Sequence, residues 1–258
     1  MKRTLPFVTV VSLCFSLLSS SAQPGGLGGP KPPNFGGSLT KLLGQNKAFS
    51  SAIEIQTKSP SGGTVTLPGQ MFFNDGKSRM ELDMSKSMGT NIPPEAVAQI
   101  KAMGMDSIII IARPKQKLSY MAFPGLKAYF ETEIPDTESA EATSKYKVAS
   151  TELGQETVDG HPCIKNKFIV TDDKGTNHES IVWNATDLNQ FPVKLETTEQ
   201  GQPITIIFKN VKLAKPDEAQ FTPPTDFKRY GNYMALMQEE VMKRMSGAGA
   251  VPVPTPQR

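Results

Sequence analysis

The sequence predicts a mainly β fold of the α+β kind, an antiparallel sheet of about eleven strands with a few covering helices. Three observations predict it. Apolar and polar residues alternate over short runs, as in Met80-Glu81-Leu82-Asp83-Met84. Turn-forming clusters such as Asn74-Asp75-Gly76 and Asp172-Asp173-Lys174-Gly175 break those runs. The links between runs are short, so neighbours in sequence should pair antiparallel. The pattern is densest from Gly154 to Tyr230, a stretch without a catalytic signature.

Both ends of the 258 residues look non-globular. Met1-Lys2-Arg3, an apolar run from Leu5 to Leu18 and then Ser20-Ser21-Ala22 read as a secretory signal peptide over residues 1–22. Its apolar core is shorter than the ~20 residues of a membrane span. Cys14 follows Leu13 rather than a small residue, so lipidation there is rejected. Cleavage leaves 26 of the 28 basic residues against 25 acidic ones, a net charge of +1. That balance offers no electrostatic footprint for nucleic acid. The longest later apolar run, Ile108 to Ala112, is only strand-length, so no transmembrane anchor is expected after cleavage. Cys163 is then the lone cysteine, and stability must come from a hydrophobic core.

Residues 23–37 form a Pro/Gly-rich linker, residues 38–245 the folded domain and residues 246–258 a disordered tail. Ser38 caps a short helix carrying Leu39, Leu42 and Leu43, stopped by Gly44. Strands are expected at 49–57, 64–73 and 77–85. Gly76-Lys77-Ser78 is no phosphate loop, because Met71 stands where its first glycine belongs. Ile92-Pro93-Pro94-Glu95 starts a helix in which Val97, Ile100 and Met103 recur at helical spacing. Strands follow at 107–112, 116–122 and 126–133, then an acidic loop at 135–144 with some helical character. Further strands are expected at 145–156, 163–171, 178–184, 193–198 and 204–213. Tyr233 to Met245 closes the domain as a helix with Met234, Met237, Val241 and Met245 on one stripe.

Several pieces, taken in order, resemble the outer-membrane lipoprotein carrier (LolA-like) superfamily, in its uncharacterised periplasmic branch. They are Gly154-x-Glu156-x-Val158-x-Gly160-x-x-Cys163, Val182-Trp183, Phe191-Pro192-Val193-Lys194-x-Glu196, Phe208-x-Asn210-Val211 and Phe221-x-x-Pro224. Gly76-Lys77-x-Arg79-Met80-Glu81 and Gly125-Leu126-Lys127-Ala128-Tyr129 add to them. The resemblance implies a curved antiparallel half-barrel with helices lidding its concave face. It also implies a periplasmic or secreted carrier of acylated or other hydrophobic ligands. The Met-rich terminal helix and Pro-rich tails depart from that pattern.

Alternation puts Met80, Leu82 and Met84 on one face, opposite Arg79, Glu81 and Asp83. Ile164, Phe168 and Val170 share a face, as do Ile204, Ile206 and Phe208. An apolar cavity would be lined by Met80, Leu82, Met84, Ile109, Ile111, Phe168, Trp183, Phe208 and Met237. Arg79 and Arg113 are the candidates for an anionic headgroup at its mouth. The competing reading makes the same residues ordinary core. All eleven methionines after Met1 lie within 71–121 or 234–245, which suits a deformable pocket between those regions. His161 and Cys163 share a strand face, but two ligands do not make a metal site, and no cofactor is expected. No paired acids, nucleophile elbow or histidine base are evident, so the chain reads as non-enzymatic. A carrier of a hydrophobic ligand and an envelope scaffold that binds a partner protein are the two readings. A contiguous apolar cavity favours the first; a filled interior favours the second.

Overall fold

The structure, a computed structural model, describes residues 37–58, 63–89, 94–199 and 201–244. The signal peptide, nearly all of the linker, the tip of the first turn at 59–62, the Ile92-Pro93 helix start and the tail 246–258 lie outside the described residues.

Alternating sequence builds two meanders. The first is β1 (Ala48–Lys58), β2 (Thr64–Asn74), β3 (Lys77–Asp83), β5 (Ser107–Arg113), β6 (Leu118–Phe123) and β7 (Ala128–Glu133); a short β4 (Met88–Gly89) pairs with β2. The second is β8 (Lys147–Val158), β9 (His161–Thr171), β10 (Asn177–Ala185), β11 (Phe191–Glu199) and β12 (Gln202–Lys212). They join where β1 pairs antiparallel with β12, giving one open, curved sheet of thirteen strands. Its free edges are β8 and β13 (Lys228–Tyr230), the latter parallel to β7. The eleven expected strands all form. The sequence reading missed β4 and β13, both too short to show a period of two. Among the eleven expected strands, sequential pairing fails at one place: β7 and β8 are consecutive, yet they lie near opposite edges of the sheet.

Helix α1 (Gly37–Leu42) begins a residue before Ser38, so Ser38 sits within its first turn and does not cap it. Helix α2 is Pro94–Ala102, and α3 (Ala140–Ser144) is capped by the Ser139 hydroxyl, which accepts from the Ala142 N–H. Helix α4 (Tyr233–Leu236) continues as a π-turn over Met237–Val241. Its packing corrects the Met-stripe expectation in part. Met237 packs against the core, but Met234 is 46% exposed and Leu236, off the stripe, is fully buried.

Strand register divides the sheet into two faces. The concave face carries the main core, including Phe49, Met71, Met80, Ile110, Met121 and Phe130. Phe49 packs on Phe73, Phe191 and Phe208 with ring centroids 4.8–6.0 Å apart, locking the two meanders together. A second cluster lies on the convex face, where Ile109, Ile111, Tyr120 and Ala122 surround the fully buried Phe221. Phe221 belongs to residues 213–227, a strap running from β12 to β13 across the outside of the first meander.

Polar contacts tie the strap down. Glu218 pairs with Lys77 and accepts from the Asn74 amide, and the Arg79 guanidinium donates to the Gln220 carbonyl at 3.2 Å. Replacing Phe221 with alanine should therefore open a cavity in the convex cluster and cost about 3–5 kcal/mol. Urea unfolding of the purified protein measures this; a loss below about 1 kcal/mol would mean that the strap rests on the sheet without holding it.

Candidate functional site

The hollow of the half-barrel is the candidate site, and helices pack around it. Helix α2 packs on the Met84–Lys86 turn that follows β3, and Ile100, Met103 and Met105 join the main core that also holds Met84 and Leu82. Helix α4 packs on β7 and β13: Tyr233 meets the Phe130 ring edge-to-face at 5.9 Å, and burial pushes its phenol up to about 12. Helices α1 and α3 pack on each other, with α1 also against β9.

Two of these covers share an anchor. Gly104, at φ +71, follows α2, and a Cβ there would come within 2.9 Å of the Gly125 carbonyl oxygen. Only glycine permits this approach. The same carbonyl accepts from the Arg244 guanidinium at 2.6 Å, beyond the π-turn of α4. Lys228–Glu239 and Tyr230–Glu240 contacts further fasten α4, and Glu239 holds the Lys228 ammonium above the usual lysine range.

The structure divides the sequence-predicted lining residues. Met80, Leu82, Met84 and Phe208 lie on the concave side and are buried, while Phe168 and Met237 are partly buried against the same cluster. Ile109 and Ile111 do not face the hollow. They alternate with Ile108 and Ile110, point outward and pack under the strap with Phe221. Trp183 also faces outward by register, opposite Lys165 and Lys194, whose ammonium groups sit 4.8 and 4.0 Å from its ring centroid. Its indole N–H is buried without a regular hydrogen bond. The nearby Glu156 carboxylate is held below its usual range first by Lys165 and then by that N–H.

The two headgroup candidates are likewise on the convex side. Arg79 is buried between Glu81, at 2.6 Å, and the strap carbonyl; Arg113 ends β5 on the Ile109–Ile111 face with its Nε buried and without a protein acceptor among the described residues. For Ile109, Ile111 and Arg113 the error has one source. A strand buried on both faces shows an unbroken apolar run, and Ile108 to Ala112 gives no phase by which to choose a side.

Outside the hollow, a cavity of ≈ 290 Å³ opens between α1, the β2–β3 turn and α3, bordered by Lys41, Asn46, Lys47, Asp75 and Thr143. Its charged rim is unsuited to an acyl chain. On the outer face His161 Nδ1 meets Asp187 at 2.8 Å, and the Cys163 thiol donates to the His161 carbonyl at 3.3 Å. Among the described residues no group of three His, Cys, Asp or Glu is placed to hold a metal.

The family model described as "Domain of unknown function (DUF4412)" matches residues 49–191, just over half of the chain. The chain belongs to the DUF4412 family. In this DUF4412 protein the match runs from β1 to the first residue of β11, so the strap and α4 lie beyond it. No curated protein matches it in sequence. Solved structures similar to it include a LolA superfamily protein from Nitrosomonas europaea, at 12% identity and TM-score 0.34, covering 71% of this chain and 96% of that one. The lipoprotein LppX of Mycobacterium tuberculosis is 13% identical at TM-score 0.37, over 68% of this chain and 91% of its own. LprF from Mycobacterium bovis is 12% identical at TM-score 0.37, over 74% and 93%. Among the described residues of the DUF4412 chain, no helix is long and apolar enough to cross a membrane.

Burial holds the Cys163 thiol above its ordinary value. A raised thiol pKa contributes stability that is full below the ordinary value and is lost as pH rises from there through the folded value. Iodoacetamide labelling of Cys163 at pH 8 should therefore be slow in the native protein and rise in step with unfolding as urea is added. Fast labelling without urea would show an open thiol.

Proposed function

We propose that this DUF4412 protein is an exported, periplasmic envelope protein that holds a hydrophobic ligand, such as an acyl chain, in the hollow of its half-barrel without catalysis. The observation that carries the reading is where the methionines fall. Met71, Met80, Met84, Met103, Met105 and Met121 are all buried in the concave cluster, and Met237 of α4 packs against it. An unbranched thioether fills irregular apolar space and re-packs at little cost, so a methionine-rich interior can yield to a ligand where a β-branched one would resist. The phenylalanine cluster fills the hollow at the β1–β11 end, so the ligand belongs beneath α2 and α4, where Met80, Leu82, Met84 and Met237 lie.

The residues 1–22 supply export, and the domain is read as running from 38 to 245 between two tails. The decisive experiment is lipid extraction and mass spectrometry of the exported protein, with uptake of the uncharged dye Nile red by the delipidated form. A stoichiometric co-purified lipid or saturable dye uptake is expected; neither would overturn the carrier reading. Met80→Ile and Met84→Ile together should weaken dye uptake about three- to tenfold with little change in the thermal midpoint, since they stiffen the wall while roughly conserving its volume.

One observation favours a partner-binding scaffold instead. Strand β8 is a free edge exposed along most of its length, and Val148 and Leu153 on it are 44% and 51% exposed. Such an edge is suited to receiving a strand from another protein. A ligand-free protein that captures a defined envelope partner through β8 would support that reading.

A further inference from the structure

The two ends of the sheet are finished differently. Strand β13 is three residues long, carries Lys228 and Arg229, and leads into α4. Shortness and basic side chains both keep an edge from pairing with another chain. Strand β8 has twelve residues, and its first half is open. Lys147 to Glu152 are all exposed, and between those two charges run Val148, Ala149, Ser150 and Thr151, without a charge or a proline. Val148 stands beside Val170 at the margin of the concave wall, 44% exposed. The outward N–H and C=O groups of this run have no strand to meet among the described residues. A bulge between Glu152 and Gly154 then interrupts the regular ladder, so residues 147–152 form an open edge of their own.

The same chain carries a segment whose pattern suits that edge. Residues 251–256 read Val-Pro-Val-Pro-Thr-Pro, uncharged and alternating with a period of two. In an extended chain successive residues turn their N–H and C=O groups to opposite sides. Val251, Val253 and Thr255 therefore offer three donors on one side, while Pro252, Pro254 and Pro256 offer none on the other. Such a strand can join a sheet once and cannot template a further strand, which confines it to an edge. A residue before proline is biased towards extended backbone, which lowers the cost of ordering the segment. The disorder expected of 246–258 is that of the segment without a partner.

Its own β8 is out of reach. The described residues end at Arg244, on the Gly125 carbonyl beside β7, and β7 is ten strand-to-strand steps from β8. Steps of about 4.8 Å give an arc of about 48 Å, whose ends lie roughly 30 Å apart when it is bent into a half-cylinder. Residues 245–250 span at most about 21 Å. We propose that residues 251–256 of one copy pair along residues 147–152 of a second copy, and that two copies exchange these segments reciprocally to make a closed two-fold dimer. Each pairing raises the effective concentration for the other. The exchange covers Val148 with Val or Pro side chains and stands whether or not the hollow holds a ligand.

Light scattering of the exported protein, joined with hydrogen exchange of peptides from β8, tests the exchange. At about 100 μM the full chain should be a dimer, and a form lacking 246–258 a monomer. The outward amides of 147–152 should exchange at least about tenfold more slowly in the dimer than in that shortened form. Variants within the segment give a second reading that does not depend on the deletion. Val251→Pro with Val253→Pro removes two pairing donors, and should weaken the dimer at least about tenfold and free the β8 amides. Pro252→Ala with Pro254→Ala alters only the outer side and should leave both as in the parent. The reverse ranking of these two variants would mean docking as a polyproline helix, and would overturn the strand pairing. So would a dimer that survives loss of 246–258, or β8 amides equally fast with and without the segment. Slow β8 amides in a monomer would mean that the segment folds back on its own chain, and would overturn the exchange. A different envelope protein held along β8 in the segment's place would overturn it as well.

Discussion

The fold depends on the pairing of β1 with β12. Without it the chain is two meanders that share no continuous concave wall. The register sets Ile53 against Phe208, Ile55 against Ile206 and Thr57 against Ile204, so each pair adds to one continuous concave wall. Phe49 makes the seam a core as well as a ladder, since it touches Phe73 in its own meander and both Phe191 and Phe208 in the other. This contact joins residues about 150 positions apart, and the entropy of closing that loop must be offset by burial at the seam. The aromatic cluster supplies that burial where the strands meet.

The joined sheet then has two surfaces to manage, and the chain treats them differently. Over the first meander both faces are apolar. Helices α2 and α4 cover the inside, and the strap covers the outside with Phe221. Over the second meander the outside is a lattice of lysine and glutamate pairs that needs no cover, with Trp183 lying under two of its lysines. Individually such exposed pairs add little stability. Their effect is to keep a long, flat, strand-rich surface from joining another sheet. The inside of that half has fewer helices on it and ends at the exposed β8 edge, so the molecule is most open there.

The strands were legible because period-two alternation is a local property. Their boundaries follow from turn residues such as Asp75-Gly76 and Asp159-Gly160, all four at positive φ. The faces were legible only where a strand had one polar side. Met80-Glu81-Leu82-Asp83 announces its orientation, and the structure places Met80 and Leu82 inward. Ile108 to Ala112 announces nothing, because the strap makes both of its sides interior, and Ile109 and Ile111 were assigned to the wrong one. Trp183 was misplaced for a related reason. A large aromatic suggests an interior wall, but here two lysine stems and their charges bury it from outside. The Leu236 side of α4 lies off the methionine stripe: Leu236 is fully buried and Tyr233 packs on the core, while Met234 before the π-turn is exposed.

The extent of the DUF4412 match follows from the same constraint in an instructive way. Residues 49–191 contain the first meander and most of the second, but they stop before β12 and the strap. A chain ending there would leave β1 with an unpaired edge, β10 without its partner β11, and the Ile109–Ile111 face in water. None of these can be met locally, since the groups that meet them come from residues 192–227. Family identity and folding unit therefore differ in this protein: the matched segment carries the alternating pattern, while the segment after it carries the pairing and the cover that make the pattern stable. The hollow inherits this arrangement. Its wall comes mainly from the matched segment, whereas Ile206 and Phe208, along with the α4 cover, come from beyond it, so the site is complete only when both parts are folded together.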